Sequence, residues 1–129
     1  MAMVVDVVNS KAGIPGSGDV PVAMTFTSDL AKFVATALTL PKWEQETYLT
    51  GDKLTWNQLV ELIEAVKGVK SPYPYISDEQ LQPMIAILGL MFERGVFDLR
   101  VETSIMQDFP DLKLRSMKEL LEEAYKLKV

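Results

Sequence analysis

A chain of 129 residues with 48% apolar and 24% charged side chains has the composition of one globular domain (residues 1–129), and its net charge of −5 leaves no electrostatic footprint for nucleic acid. The absence of cysteine and histidine excludes disulfides, thiolate or imidazole catalysis, and metal sites built on those ligands. Asp6 interrupts the apolar N-terminal stretch and no apolar run reaches the roughly 20 residues of a membrane span, so we expect a cytoplasmic protein with no membrane partner.

The first elements predicted along the chain are two strands and a helix. Val4–Val8 is rich in β-branched residues and predicts a strand, which could pair in a hairpin with a second strand at Val22–Thr27. Ser28 or Asp29 is expected to cap the helix that follows. The apolar residues of this helix recur at intervals of three and four and predict one buried face: Leu30, Phe33, Val34, Ala37 and Leu38.

A short strand and a capped helix are predicted next. The strand covers Thr47–Thr50, and Gly51–Lys53 makes the turn after it. Thr55 with Gln58 has the spacing of a capping box, and Gly68 is expected to end the helix. Four apolar residues at helical spacing should face the core: Leu59, Leu62, Ile63 and Val66.

The remaining sequence predicts two more helices with an extended segment between them. Ser77 with Gln80 forms a second capping box, and the helix behind it should run to Gly95, kinked or restarted at Pro83. Phe97–Glu102 alternates apolar and charged residues, as a half-buried strand does.

The last helix follows a third capping box, Ser116 with Glu119. Taken together, the elements predict an α+β domain derived from an α/β fold, with a small sheet of three to four strands and about four helices.

Three stretches of the sequence carry a family resemblance. They are the Gly18-Asp19 turn and strand leading into Thr27–Leu30, the run from Leu38 to Trp43, and the strand-to-helix joint Leu49–Trp56. Together with the tail from Phe109 they are similar to the C-terminal half of NmrA-like proteins. Those proteins belong, with isoflavone-reductase-like enzymes, to the atypical short-chain dehydrogenases. The likeness has a fungal character and implies the substrate-side part of such a fold.

The same resemblance implies that the nucleotide-binding part is missing from this sequence. Members of the family begin with a Rossmann unit, in which a glycine-rich turn opens a helix under the cofactor pyrophosphate. The glycine cluster here, Gly13, Gly16 and Gly18, lies between predicted strands, and the family's active-site lysine lies upstream of the matched portion. We therefore expect no cofactor and no metal in this chain, and no NAD(P)-dependent reduction unless a separate chain supplies the cofactor domain.

Proton chemistry in this chain would depend on carboxylates, tyrosine, lysine or water. Asp6 sits among valines, where desolvation would raise its pKa, although an edge-strand residue that discourages aggregation has the same pattern. By the resemblance, Asp29 lies at a strand-to-helix joint that faces the cleft; helix capping is the alternative. Asp98 and Arg100 alternate with apolar residues and could project together, or simply form a solvated strand face. Tyr48 completes the candidate catalytic set with a phenolic proton donor.

Aromatic and thioether side chains suggest an apolar pocket, although a plain core or an interface explains them equally well. The candidate substrate-binding residues are Phe26, Tyr73, Tyr75, Met84, Leu88, Met91 and Phe92. The helix of residues 78–94 is apolar on more than one face, which predicts a homodimer with this helix at or near its interface.

Two functional hypotheses follow from these residues and the resemblance. The first is a cofactor-independent enzyme that isomerises, cyclises or dehydrates a small, largely apolar metabolite, in a natural-product setting. The alternative is a non-catalytic ligand- or protein-binding module, or a truncated remnant of an NAD(P)-dependent reductase.

Overall fold

The protein has the predicted α+β architecture. A computed structural model describes residues 5–6, 11–14, 16–68, 83–99 and 109–126. The strands are β1 (Val5–Asp6), β2 (Lys11–Ala12), β3 (Val22–Met24) and β4 (Asp52–Leu54). The helices are α1 (Thr27–Ala37), α2 (Trp56–Lys67), α3 (Pro83–Glu93) and α4 (Met117–Lys126). Among these described residues no helix has the length and apolarity that crossing a lipid bilayer requires.

The strands form two separate antiparallel pairs. β1 pairs with β2, and β3 pairs with β4, with Val22 opposite Leu54 and Met24 opposite Asp52. The hairpin predicted between Val4–Val8 and Val22–Thr27 is therefore wrong. Closing a short loop costs less chain entropy than closing a long one, so β1 takes the nearer partner and β3 is left to pair across α1.

The strand predicted at Thr47–Thr50 is displaced along the chain to β4. Gly51 is predicted to lie in the turn after the strand, whereas in the structure it precedes β4. Its N–H donates to Thr25 Oγ1 at 3.1 Å. A Cβ atom at this position would lie 3.2 Å from the Met24 carbonyl oxygen, so glycine permits the close approach at which pairing with β3 begins.

The segment predicted as a strand at Phe97–Glu102 begins as a turn. Residues 94–97 are in turn conformation, and residues 100–102 lie outside the described ranges. One strand-like feature remains, because the Ala23 N–H of β3 donates to the Phe97 carbonyl at 2.8 Å.

Local capping signals in the sequence are confirmed at α2 and α4. The Gln58 N–H donates to Thr55 Oγ1 at 3.1 Å and the Thr55 N–H donates to Gln58 Oε1 at 2.9 Å, which completes the capping box. Gly68 ends α2 in the left-handed conformation. Ser116 and Glu119 exchange the same pair of bonds ahead of α4, at 2.8 and 3.2 Å.

The described part of helix α3 begins at Pro83, and the kink or restart predicted there involves residues before 83, which lie outside the described ranges. Ser77 and Gln80, the predicted capping box, lie outside the described residues. The predicted end at Gly95 is confirmed: its φ is 70°, its N–H donates to the Phe92 carbonyl, and the Val96 N–H donates to the Met91 carbonyl. These two bonds make a Schellman motif.

The apolar core joins α1, α2 and the strands. Its buried side chains are Ala12, Val22, Phe33, Ala37, Leu59 and Ile63. In α2 the buried residues fall on the predicted face. In α1 the buried row is Asp29, Phe33 and Ala37, whereas Leu30, Val34 and Leu38 are 43%, 48% and 68% exposed. The predicted single face of α1 is therefore wrong in part, because Asp29 fixes the rotation of the helix, as described below.

Helix α3 exposes large apolar side chains. Ile87 is 62% and Leu90 59% exposed. A helix that is apolar on more than one face gains stability when a second surface covers it. The homodimer through residues 78–94 stays a prediction.

We expect Leu90→Arg to disrupt this dimer, because a guanidinium would have to be buried in an apolar interface. Light scattering after size exclusion should give about twice the 14.4 kDa chain mass for the wild type and the chain mass for Leu90→Arg. Glu61→Arg, on the exposed side of α2, is the matched control and should remain dimeric. A wild-type protein that is monomeric at every protein concentration tested would contradict the prediction.

Candidate functional site

The joint between β3 and α1 places the candidate residues Phe26 and Asp29 together. Phe26 is the N-cap residue, with extended backbone and no side-chain cap, and its carbonyl accepts from the Asp29 and Leu30 N–H groups at 3.0 and 2.9 Å. The predicted cap by Ser28 or Asp29 is therefore wrong. The Asp29 carboxylate instead reaches the segment that leads into α4.

Asp29 and Arg115 form a buried ion pair, in which the aspartate is only 2% exposed. Arg115 Nη2 donates to Oδ1 at 2.8 Å, and Nε donates to Oδ2 at 3.1 Å. The Arg115 backbone N–H donates to Oδ2 as well, at 3.1 Å. Lys32 Nζ lies 3.5 Å from Oδ1 at the solvent side. The carboxylate thus receives both arms of a guanidinium fork and a main-chain donor, the arrangement that a buried charge needs.

Arg115 also contacts three other groups around this pair. Nη1 donates to Glu123 Oε2 and Nη2 to Ser28 Oγ, both at 2.9 Å. The guanidinium carbon lies 4.9 Å from the centroid of the Phe26 ring, within cation–π range. We call Phe26, Ser28, Asp29, Arg115 and Glu123 the clasp. The clasp ties the start of α1 to α4 and holds the Phe26 ring in place.

The clasp sets the ionisation of its own carboxylate. Hydrogen bonds from the Arg115 side chain, then from its backbone N–H, hold the pKa of Asp29 well below its usual range. Asp29 in turn raises the pKa of the guanidinium. A carboxylate that stays ionised and fully hydrogen-bonded is suited to fixing geometry and poorly suited to releasing or taking up protons. The structure gives Asp29 a positioning role, and a part in catalysis stays a prediction.

Two other candidate catalytic residues have partners of their own. Tyr48 Oη donates to Glu46 Oε2 at 2.9 Å, and this bond to a carboxylate raises the pKa of Tyr48. Asp98 forms an ion pair with Lys53. Within the part of the chain that the structure describes, no hydrogen bond or ion pair joins Asp29, Tyr48 and Asp98, so these three candidates do not form one catalytic group through direct contacts.

The last two candidate catalytic residues are described little or not at all. Asp6 lies in β1 opposite Lys11, and its side chain is outside the described part. Arg100 lies outside the described residues.

The candidate substrate-binding residues fall into different surroundings. Phe92 is half-buried and packs between Trp56 and Phe97, with its ring centroid 5.1 and 4.7 Å from theirs. Leu88 is half-buried and Met91 is 37% exposed, both on α3. Tyr73, Tyr75 and the Met84 side chain lie outside the described residues. A groove of about 580 Å³ between α2 and α4 is lined by none of the seven.

The glycine loop before β3 does not fit a dinucleotide. The Ser17 N–H and Oγ both donate to Glu93 Oε1, at 2.7 and 2.8 Å, and a Cβ atom at Gly16 would overlap the Glu93 side chain. A carboxylate therefore already occupies the donors that a phosphate would need, and a second anion there would be repelled. Across the described ranges no group of three or more acidic side chains could hold a metal ion.

Reasoning from the sequence did not identify Arg115, although one signal indicated that Asp29 needs a cationic partner. Asp29 shares a row of α1 with Phe33 and Ala37, at intervals of four residues. An aspartate on a buried row requires a cation, because an unpaired buried carboxylate is strongly unfavourable. The sequence does not show which of the 13 lysines and arginines supplies it.

Comparisons with known proteins relate this chain to fungal oxidoreductases. It is 40% identical over 57 residues to oxidoreductase BOA1 of Botryotinia fuckeliana (strain B05.10), covering 44% of this chain and 19% of BOA1. It is 34% identical over 70 residues to oxidoreductase swnR of Arthroderma benhamiae (53% and 23% covered), and 26% identical over 131 residues to oxidoreductase swnN of Metarhizium robertsii (95% and 36% covered). The chain thus spans 19–36% of these relatives' lengths. No family model matches it.

The fold is shared with a solved structure, AtPrR2 in apo form. The TM-score is 0.70 at 24% identity, and the match covers 88% of this chain and 43% of AtPrR2. The chain is similar to fungal proteins named oxidoreductase, and its assignment to the C-terminal half of an NmrA-like protein stays a prediction. Isomerisation, cyclisation or dehydration without a cofactor finds no support in the three fungal relatives, each of which is named an oxidoreductase.

Removing the charge of Asp29 should destabilise the protein. Asp29→Asn keeps the shape but removes the buried carboxylate of the clasp, so that Arg115 keeps its ion pair with the exposed Glu123 and loses the one with Asp29. We expect Asp29→Asn to lower the urea midpoint of unfolding the most. Asp52→Asn should lower it less, because it weakens only the 2.9 Å bond from the Met117 N–H. Asp111→Asn, on an exposed turn, is the control and should match the wild type. Equal midpoints for Asp29→Asn and Asp111→Asn would contradict this role of the clasp.

The clasp should also set the acid sensitivity of folding. In the unfolded chain Asp29 titrates near 3.8, whereas in the folded chain its pKa is lowered. The stabilisation is therefore complete above the unfolded value and is lost as the pH falls from about 4 towards the folded pKa. Urea titrations at stepped pH should show a shallower acid loss for Asp29→Asn than for the wild type. Glu119, whose pKa is lowered by its bonds with Ser116, leaves a residual slope of the same sign. Parallel curves would overturn the assignment.

Proposed function

We propose that this chain supplies the substrate-side part of an oxidoreductase that works with a separate nucleotide-binding unit, in the manner of NmrA-like short-chain dehydrogenases. The observation that carries the proposal is the match to oxidoreductase swnN, which runs over 95% of this chain but only 36% of swnN. The shared fold with AtPrR2 supports it in the same way, since more than half of that chain lies beyond the match.

The chemistry of the described residues supports this division of labour. Asp29, Tyr48 and Asp98 are each engaged by a neighbouring group, and histidine and cysteine are absent from the sequence. The glycine loop is occupied by Glu93. A hydride donor held by another unit would supply what these side chains lack, while this chain would orient the substrate.

The substrate class in this proposal is a small, largely apolar metabolite. Phe26 and Met91 are partly exposed, at 44% and 37%, so both present apolar surface for contact. An apolar surface with few fixed polar groups selects its substrates mainly by their shape.

A graft tests the proposal. This chain replaces the aligned stretch of swnN, and both the graft and the isolated chain are titrated with NADPH and incubated with a panel of apolar ketones, imines and enones. We expect nucleotide binding and NADPH oxidation at 340 nm in the graft alone, with products that are two hydrogens heavier. The graft that carries Asp111→Asn is the matched control, and its NADPH binding and NADPH oxidation should equal those of the unsubstituted graft.

Two results would contradict the proposed function. NADPH binding by the isolated chain would place the nucleotide site here. Conversion of a panel member without NADPH and without a change of mass would restore the isomerase hypothesis.

A further inference from the structure

Helix α1 carries four side-chain rows, each made of residues four apart along the helix. One row is polar, with Ser28 and Lys32 exposed and Thr36 half-buried. The next is the buried row that contains Asp29 and Phe33. The third row is apolar and exposed, and we call it the outer row: Phe26, Leu30, Val34 and Leu38, exposed by 44%, 43%, 48% and 68%. The fourth begins at Thr27 and continues with two exposed alanines, Ala31 and Ala35.

The outer row cannot turn inward to become part of the core. It lies one residue, about 100°, around the helix from the buried row. The Asp29–Arg115 pair fixes the helix rotation at one end, and Phe33, buried with its ring edge-on to Phe109 at 6.0 Å, fixes it further along. Any rotation that buried Leu30 would pull Asp29 away from its guanidinium. The apolar surface is therefore held outward by the fold.

The composition of this surface suits a packed layer more than water. Lys32 is the one charged side chain that α1 presents at its surface, and its ammonium lies 3.5 Å from the Asp29 carboxylate. A solvent-facing helix carries charged residues on its outer side. The alanines beside the outer row would let another backbone layer approach closely, at the roughly 10 Å spacing of packed layers.

We infer that the outer row of α1 is the surface on which the nucleotide-binding unit of the oxidoreductase docks, and this inference rests on the proposed function. The matched part of AtPrR2 is 43% of its chain, so a protein with this fold contains a larger further portion. A row about 18 Å long is long enough to lie across several strands of a sheet spaced about 4.8 Å apart. Docking there covers α1 on its second apolar side and sets Phe26, held by the clasp, at the edge of the joint between the two units.

Cysteine labelling tests the inference cleanly, because the chain contains no cysteine. Val34→Cys reports on the outer row, and Glu61→Cys on exposed α2 is the matched control. Each is placed in the isolated chain and in the swnN graft, and maleimide labelling is followed by mass spectrometry of the peptide that contains the new cysteine. We expect both sites to label at similar rates in the isolated chain, and position 34 to slow at least tenfold in the graft while position 61 does not change.

Other results overturn the inference in distinct ways. Equal labelling of position 34 in chain and graft means that the outer row stays uncovered. Slow labelling in the isolated chain that depends on protein concentration assigns the row to a second copy. Slow labelling that is independent of concentration assigns it to another segment of this chain. If the graft does not fold, the remainder of swnN added in trans to the isolated chain gives the same readout.

The two proposals fail separately. Protection of position 34 in a graft that never oxidises NADPH keeps the docking surface and removes the reductase function. NADPH oxidation with position 34 unprotected keeps the function and removes the docking surface.

Discussion

The buried ion pair between Asp29 and Arg115 is the constraint on which the rest of the described structure depends. A carboxylate that is 2% exposed is stable only with a cation and hydrogen-bond donors around it, and Arg115 supplies both from 86 residues along the chain. The same contact fixes the approach of α4, whose first N–H is held by Asp52 and whose capping box is completed by Glu119. The carboxylates of Asp29, Asp52 and Glu119 thus lie at the N-terminal end of α4, where the helix dipole favours negative charge.

The pair also decides which surface of α1 faces outward. Because Asp29 must reach Arg115, the row with Phe33 and Ala37 turns into the core, and the row with Leu30 and Val34 turns away from it. The need to pair the buried Asp29 carboxylate therefore leaves the apolar row with Leu30 and Val34 exposed. The loop at Ser17 follows the same logic, since Glu93 of α3 satisfies its donors and joins two parts of the chain that are 76 residues apart.

These contacts fix the positions of the side chains that take part in them. Asp29, Tyr48 and Asp98 are each paired with a group outside the candidate set, and the described apolar side chains are divided between a small core and exposed rows on α1 and α3. The proposed two-unit reductase would need side chains fixed in this way, because hydride transfer requires the reacting atoms of substrate and cofactor to be positioned with a tolerance of about half an ångström. The relatives named oxidoreductase are each much longer than this chain.

Features set by residues close in sequence could be predicted from the sequence, and features set by distant contacts could not. The boxes Thr55–Gln58 and Ser116–Glu119 and the helix end at Gly95 depend on neighbours within one turn, so the residue pattern alone specifies them. Strand pairing, the partner of Asp29 and the outward row of α1 depend on which surfaces meet in space. Periodicity marked five apolar positions on α1 but could not choose between two adjacent rows. The requirement to neutralise one buried carboxylate made that choice, and only the folded chain shows that Arg115 meets it.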